Sequence, residues 1–192
     1  MHETILTGGE HAFVAGARRA VLATIRPDGE PRLVPVCFVL VDEPDDLGRP
    51  LIYSPLDEKP KQSADPRRLG RVQDLLVLPS VTLLVDRWSE DWERLGWIRL
   101  SGRGQLLEPE PRERAEHEAA VATLRAKYPQ YEGHALEKRP IIRMSIDRVQ
   151  RWGDVAPDHD AAAADRDGGA RWGTPSSEAP ATGRAAATPR EG

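Results

Sequence analysis

Residues 20–41, "AVLATIRPDGEPRLVPVCFVLV", decide the fold class. Val21 to Ile25 and Leu33 to Val41 are rich in β-branched residues, and the "PDG" between them is turn chemistry. The stretch therefore predicts a β-hairpin whose second arm runs to Val41. On its N-terminal side, "EHAFVAGARR" (10–19) sets Phe13, Val14 and Ala17 at helical spacing. It ends on basic residues, which suit a helix C-terminus, so a short helix precedes the hairpin.

On the other side, "DEPDDLGRP" (42–50) reads as an acidic surface loop and "LIYS" (51–54) as a third strand. In "SADPRRLGRVQDLLVLPS" (63–80), Asp65 is a good N-cap and Pro66 belongs at the first helical position. Leu69, Val72 and Leu76 mark one face before Pro79 closes the element, which predicts a helix from 66 to about 77. "SVTLLVDRW" (80–88) and "GWIRLSGRGQLLE" (96–108) are two strands joined by the turn-like "SEDWERL". "EPRERAEHEAAVATLRAKY" (110–128) is a patterned helix, and "PIIRMSIDRVQRW" (140–152) is a last strand ending at Arg151 and Trp152. Hairpin-rich strands interrupted by single helices point to an antiparallel barrel with helices packed outside it, not to a parallel doubly wound sheet.

The chain of 192 residues is sized for one domain. Residues 1–154 are expected to form it. From Val155 to Gly192 the sequence is dominated by Ala, Gly, Pro, Ser, Thr and charge, too little apolar surface to offset ordering entropy, so a disordered tail is expected there. A net charge of -4 supplies no global reason to bind nucleic acid. The single cysteine, Cys37, excludes an internal disulfide and a CxxC-type metal or redox site, which fits a reducing cytoplasm. The N-terminus lacks the apolar core of a signal peptide, and no window reaches the roughly 18–20 apolar residues that span a membrane. The five histidines have no ligand spacing, so no metal site is expected, and no catalytic triad can be argued from spacing. "GRGQ" (102–105) lies inside a strand pattern and is not a dinucleotide fingerprint.

The chain spells its cations almost always as arginine, with twenty-three arginines against four lysines. Yet "LDEKPKQSADPRRLGRV" (56–72) holds Lys59, Lys61, Arg67, Arg68 and Arg71. A helix opening at Pro66 would present unpaired N–H groups and partial positive charge beside these cations, which outlines a phosphate site. The plainer alternative is a set of solvated charges balancing Asp57, Glu58 and Asp65.

The order of the hairpin, "LIYSPLDEKPKQSADPRRLGRV" and "PSVTLLVDRWSEDWERLGWIRLSGRGQLL" resembles the split β-barrel flavin and deazaflavin-binding proteins. Over about residues 10–152 it is similar to the actinobacterial, pyridoxamine-phosphate-oxidase-class F420-dependent oxidoreductases. The resemblance implies that Ser54, Lys59 and Lys61 hold a cofactor phosphate, that Arg67 and Arg68 follow on the next helix, and that the first hairpin lines a flat ring. Ala23 and Thr24 on one strand, and Pro35, Val36 and Cys37 on the other, are the candidate ring contacts. It further implies coenzyme F420 as cofactor, FMN as the alternative, a homodimer with two sites, and a small organic substrate. The cofactor would carry the hydride, so no catalytic side chain is nominated. Two departures stand out: "LVLPSV" replaces the usual Asn-Pro, and Gly96 stands where an aromatic is expected beside Trp97, which could reshape a pocket. Trp88, Trp92 and Trp97 crowd into ten residues. Trp92, in a loop, is a candidate platform over the cofactor; Trp88 and Trp97 read better as rim or subunit-interface anchors. Arg151 and Trp152 read better as a C-terminal anchor on the barrel than as cofactor contacts.

Overall fold

The computed structural model describes residues 6–56 and 65–157. The first helix, α1 (Gly8–Gly16), opens on a capping box in which Thr7 and Glu10 each bond the other's backbone N–H. It stops before Arg18 and Arg19, so no basic residue sits in its last turn. The predicted hairpin follows as β1 (Ala20–Ile25) and β2 (Pro31–Val36), in register from Ala20 opposite Val36 to Ile25 opposite Pro31. Gly29, at φ 86°, makes the turn.

The second arm does not run unbroken to Val41. It stops at Val36, and β3 (Val39–Val41) pairs instead with β4 (Leu51–Pro55). With β5 (Ser80–Arg87), β6 (Gly96–Leu107) and β7 (Ile141–Gly153), the seven antiparallel strands lie in the order β2-β1-β5-β6-β7-β4-β3. β2 and β3 are thus opposite edges of one sheet, yet only Cys37 and Phe38 separate them in the chain. Three residue steps span at most about 11 Å, so the sheet must curl until its two edges meet. The result is an antiparallel split β-barrel.

Alternation on the strands divides the apolar residues into two sets. Leu22, Phe38, Ile52, Leu83, Ile98, Leu100, Ile142 and Met144 fill the inside, joined by Phe13 and Val14 of α1 and Val72 and Leu75 of α2 (Gly70–Val77). Val39, Leu51, Tyr53 and Ile141 form a second layer, against Ala120, Val121 and Leu124 of α3 (Arg114–Lys127). Tyr128, just past α3, fastens the seam: its hydroxyl accepts from Phe38 N (3.1 Å) and lies 2.8 Å and 2.9 Å from the Phe38 and Arg18 carbonyl oxygens.

The helix expected from 66 to 77 is two pieces, a 3-10 turn at Pro66–Arg68 and α2 from Gly70. Asp65 does cap, accepting from Arg67 N at 2.9 Å, but it caps the turn and not the helix. Gly96 does not open a pocket. It is buried opposite Gly153, and a Cβ there would collide with the Asp154 backbone carbonyl, so the missing side chain allows close strand approach. Arg87 locks that corner by pairing with Asp154 (2.7 Å) and donating to the Arg94 and Ala156 carbonyl oxygens. The tail expected from Val155 lies, from residue 158, outside the described residues.

Candidate functional site

Barrel closure, more than local sequence, positions the predicted site. Ser54 on β4 donates its hydroxyl to the carbonyl oxygen of Cys37 at 2.9 Å. That bond brings the end of β2, with Pro35 and Val36, beside the end of β4, although the two strands are five places apart in sheet order. The chain leaves β4 through Leu56 into residues 57–64. Lys59 and Lys61 fall there, outside the described residues.

Within this neighbourhood the candidates have different standing. Pro35 is exposed on edge strand β2, in line with exposed Leu33, and offers a flat apolar surface. Val36 is buried in the barrel interior, and Ala23 and Cys37 are half-buried. Thr24 turns inward: it is 0% exposed, and its hydroxyl donates to Asp74 Oδ2 at 2.7 Å. Ser54 is buried as well, with its hydroxyl spent on the seam. These two hydroxyls serve structure in this chain and face no open surface.

Arg67 and Arg68 stand exposed on the turn that follows residues 57–64 in the chain. Arg67 forks onto Glu108, Nε to Oε1 at 3.0 Å and Nη2 to Oε2 at 2.6 Å, and those bonds raise its pKa. Arg67 on the turn and Arg71 on α2 belong to separate elements and so share no helix face.

Trp92 is 78% exposed and Trp88 73% exposed, both in the β5–β6 connection. Trp97 lies opposite Trp152, itself 55% exposed, on the paired strands β6 and β7. Glu108, the partner of Arg67, follows the far end of β6, so twelve strand residues separate the tryptophan corner from the arginine turn. One chain does not bring Trp92 to Arg67 and Arg68. Arg151 pairs with Glu10 at 2.6 Å, tying the last strand to α1.

Two polar clusters escaped the sequence reading. Asp74, 1% exposed on α2, accepts from Thr24 and from Arg32 Nε, both at 2.7 Å. Burial pushes the Asp74 pKa up, but the Arg32 and Thr24 hydrogen bonds outweigh it and hold the carboxyl below the usual range. Under α3, Glu116 Oε1 accepts from the Tyr53 hydroxyl (2.7 Å) and from Arg143 Nε (2.6 Å). Burial, then the Glu116 bond, raises the Tyr53 pKa. The available signal was Arg143, a lone charge inside the apolar run "PIIRMSI". Among the described residues no three His, Cys, Asp or Glu side chains converge on a metal position, and no helix is long and apolar enough to cross a membrane.

Known proteins carry the same fold. A conserved hypothetical protein, Rv2991 from Mycobacterium tuberculosis, is 21% identical, with TM-score 0.56 over 80% of this chain and 88% of that one. Atu2129 from Agrobacterium tumefaciens, of unknown function, is 21% identical, with TM-score 0.52 over 81% and 63%. HutZ, the heme storage protein of Vibrio cholerae, is 11% identical, with TM-score 0.51 over 73% and 89%. No curated protein matches the sequence. The family model described as pyridoxamine 5'-phosphate oxidase matches residues 7–153, the whole span of the barrel, and the chain therefore belongs to the pyridoxamine 5'-phosphate oxidase family.

Proposed function

We propose that this chain is an oxidoreductase that binds reduced coenzyme F420 and serves hydride transfer to an unsaturated organic substrate in the cytoplasm. The observation that carries the reading is the closed seam, which sets Pro35 and Val36 beside the end of β4, where the lysine-bearing segment begins. Available donors fit an anionic cofactor tail: Arg68 is exposed, and Arg67 can exchange Glu108 for a phosphate of higher charge. The outward face of Pro35 and Leu33 fits a flat ring. The F420 ring would supply the hydride chemistry. The protein would orient the two reactants and exclude water. Lys59 and Lys61 are assigned to the phosphate, and Ser54 and Thr24 to holding the frame behind it.

Because Trp92 lies a full strand away from Arg67, a complete site with both needs a second subunit, and a homodimer is part of the proposal. The exposed Trp88, Trp92 and Trp152 supply the apolar surface for it. Titrating the purified protein with F420, FMN and heme in parallel tests the reading. Tighter binding of F420 supports it, preference for FMN moves the chain to a flavin-dependent oxidase or reductase, and binding without turnover makes it a non-catalytic carrier. Reversing both Lys59 and Lys61 to Glu should weaken F420 at least about tenfold. An Arg99/Arg148 double reversal to Glu changes net charge equally at exposed positions far along β6 and β7 from the end of β4, and should retain binding.

A further inference from the structure

The groove between α3 and the β3–β4 connection is built for a ligand that nothing above assigns. Its volume is about 570 Å³, within the range of small-molecule sites. On β4, Ser54 belongs to the seam while its neighbour Tyr53 packs with the outer layer against α3, so the groove lies on the opposite face of that strand from Ser54. Its apolar wall includes Leu40, Leu51 and Ala120, all buried, and the small side chains of Ala119 and Ala120 keep the α3 side low.

Glu116 is the fixed polar group in this wall. Tyr53, 4% exposed, and Arg143 both donate to its Oε1. Its Oε2 engages no described residue, and the side chain remains 38% exposed. Two donors therefore hold the carboxylate in place without occupying its second oxygen, which is preorganised to accept from a ligand. Charge gives the sign of that ligand. The groove is lined by five carboxylates, Asp42, Glu43, Asp45, Asp46 and Glu116, against one guanidinium, Arg143. Arg49 neutralises Asp45 at 2.7 Å, and His11 lies 3.2 Å from Asp42, but Glu43 and Asp46 pair with no cation among the described residues. These carboxylates are spread along the rim, and no three of the described ones converge as a metal would require. A cation that needs one carboxylate and an apolar wall fits better than a bare ion.

We propose that this groove binds an organic amine in its ammonium form, with the ammonium group on Glu116 and its alkyl or aryl body along Leu40, Leu51 and Ala120. The site is independent of the F420 reading and stands or falls without it.

Titration calorimetry on the full chain, with benzylamine hydrochloride as probe and benzyl alcohol and benzoate as matched controls, tests the proposal. Saturable binding of benzylamine alone is expected. Ala119→Arg places a tethered cation in the groove from an exposed helical position, so the fold should persist while benzylamine affinity falls at least tenfold. Ala126→Arg, on an exposed part of α3 outside the groove, makes the same charge change and should bind as the wild type. Glu116→Gln should also lower affinity at least tenfold, and a melting curve will show whether loss of the Arg143 pair disturbs the fold. Equal binding of benzyl alcohol, undiminished benzylamine binding in Ala119→Arg, or no heat with benzylamine in the wild type would each overturn the proposal.

Discussion

α2 and α3 clasp the same barrel with a different balance of buried charge and apolar contact. α2 is pinned by a buried charge: Asp74 reaches Thr24 on β1 and Arg32 on β2, and so bridges the first hairpin through one carboxylate oxygen. α3 lies on a broad apolar layer; its own carboxylate bridge, from Glu116 to Tyr53 and Arg143, stays partly exposed, and its bond to the seam comes from one neutral hydroxyl at its exit, that of Tyr128. A buried charged hub is costly to break and insensitive to neighbouring packing, whereas an apolar layer gives way gradually. The lesson concerns function as well, because the first hairpin that Asp74 holds is the one that carries Pro35.

The largest expected effect comes from removing the hub. Asp74→Ala strands a fully buried Thr24 hydroxyl and leaves Arg32, 37% exposed, to rehydrate. A loss of about 2–4 kcal/mol is expected by denaturant titration, below the range for a wholly buried pair because Arg32 reaches water. The pH dependence sharpens this. A carboxyl whose folded pKa is depressed contributes stability that is present above its unfolded value, about 3.9, and lost as pH falls through the folded one. Melting curves should therefore fall steeply below pH 4 in the wild type and less steeply in Asp74→Asn; parallel slopes would remove Asp74 from the account.

Tyr128→Phe should cost less, about 1–3 kcal/mol, because it leaves the Phe38 N–H unpaired at the seam while keeping the ring. The readout that separates this from simple packing loss is hydrogen exchange at Phe38, which should quicken even where the global melt moves little.

The sequence reading succeeded where one element's own chemistry settles its form. "PDG" made the turn, Asp65-Pro66 made a capped start, and the run "PIIRMSIDRVQRW" made a strand, observed over Ile141–Gly153. It failed where a distant partner decides. Leu33 to Val41 reads as one strand because every residue in it suits a strand. The break at Cys37–Phe38 exists because the chain must cross from one sheet edge to the other. Asp74 looks like an exposed helical acid until Arg32, forty-two residues away, is placed over α2. Thr24 was nominally available: Ala20, Leu22 and Thr24 share one face of β1, and the burial of that face makes Thr24 an interior hydroxyl.

Lys127 carries a smaller effect. Its Nζ is buried without a hydrogen bond to any described residue, 4.4 Å from the centre of the Phe38 ring. Burial, and after it the nearby Arg18 charge, brings its pKa down to about 8. A lysine whose folded pKa lies below its unfolded one binds more protons unfolded, so stability should rise with pH between about 8 and 10.4. Lys127→Met should flatten that rise; an unchanged slope would mean that the ammonium keeps water in solution.

The smallest effect on stability, and the most direct test of the arginine turn, belongs to the Arg67–Glu108 pair. Both side chains are partly exposed, so Glu108→Gln should change unfolding free energy by no more than about 1 kcal/mol. Its effect on binding should run the other way. Glu108 competes with a cofactor phosphate for the same guanidinium fork, and a neutral amide competes less well, so F420 should bind more tightly to Glu108→Gln than to the wild type. Arg67→Gln should weaken binding in the same titration with a similarly small change in the melt. If Glu108→Gln and Arg67→Gln weaken binding alike, the ion pair itself shapes the site and Arg67 does not exchange partners; if neither changes it, the turn at Pro66–Arg68 lies outside the cofactor's reach.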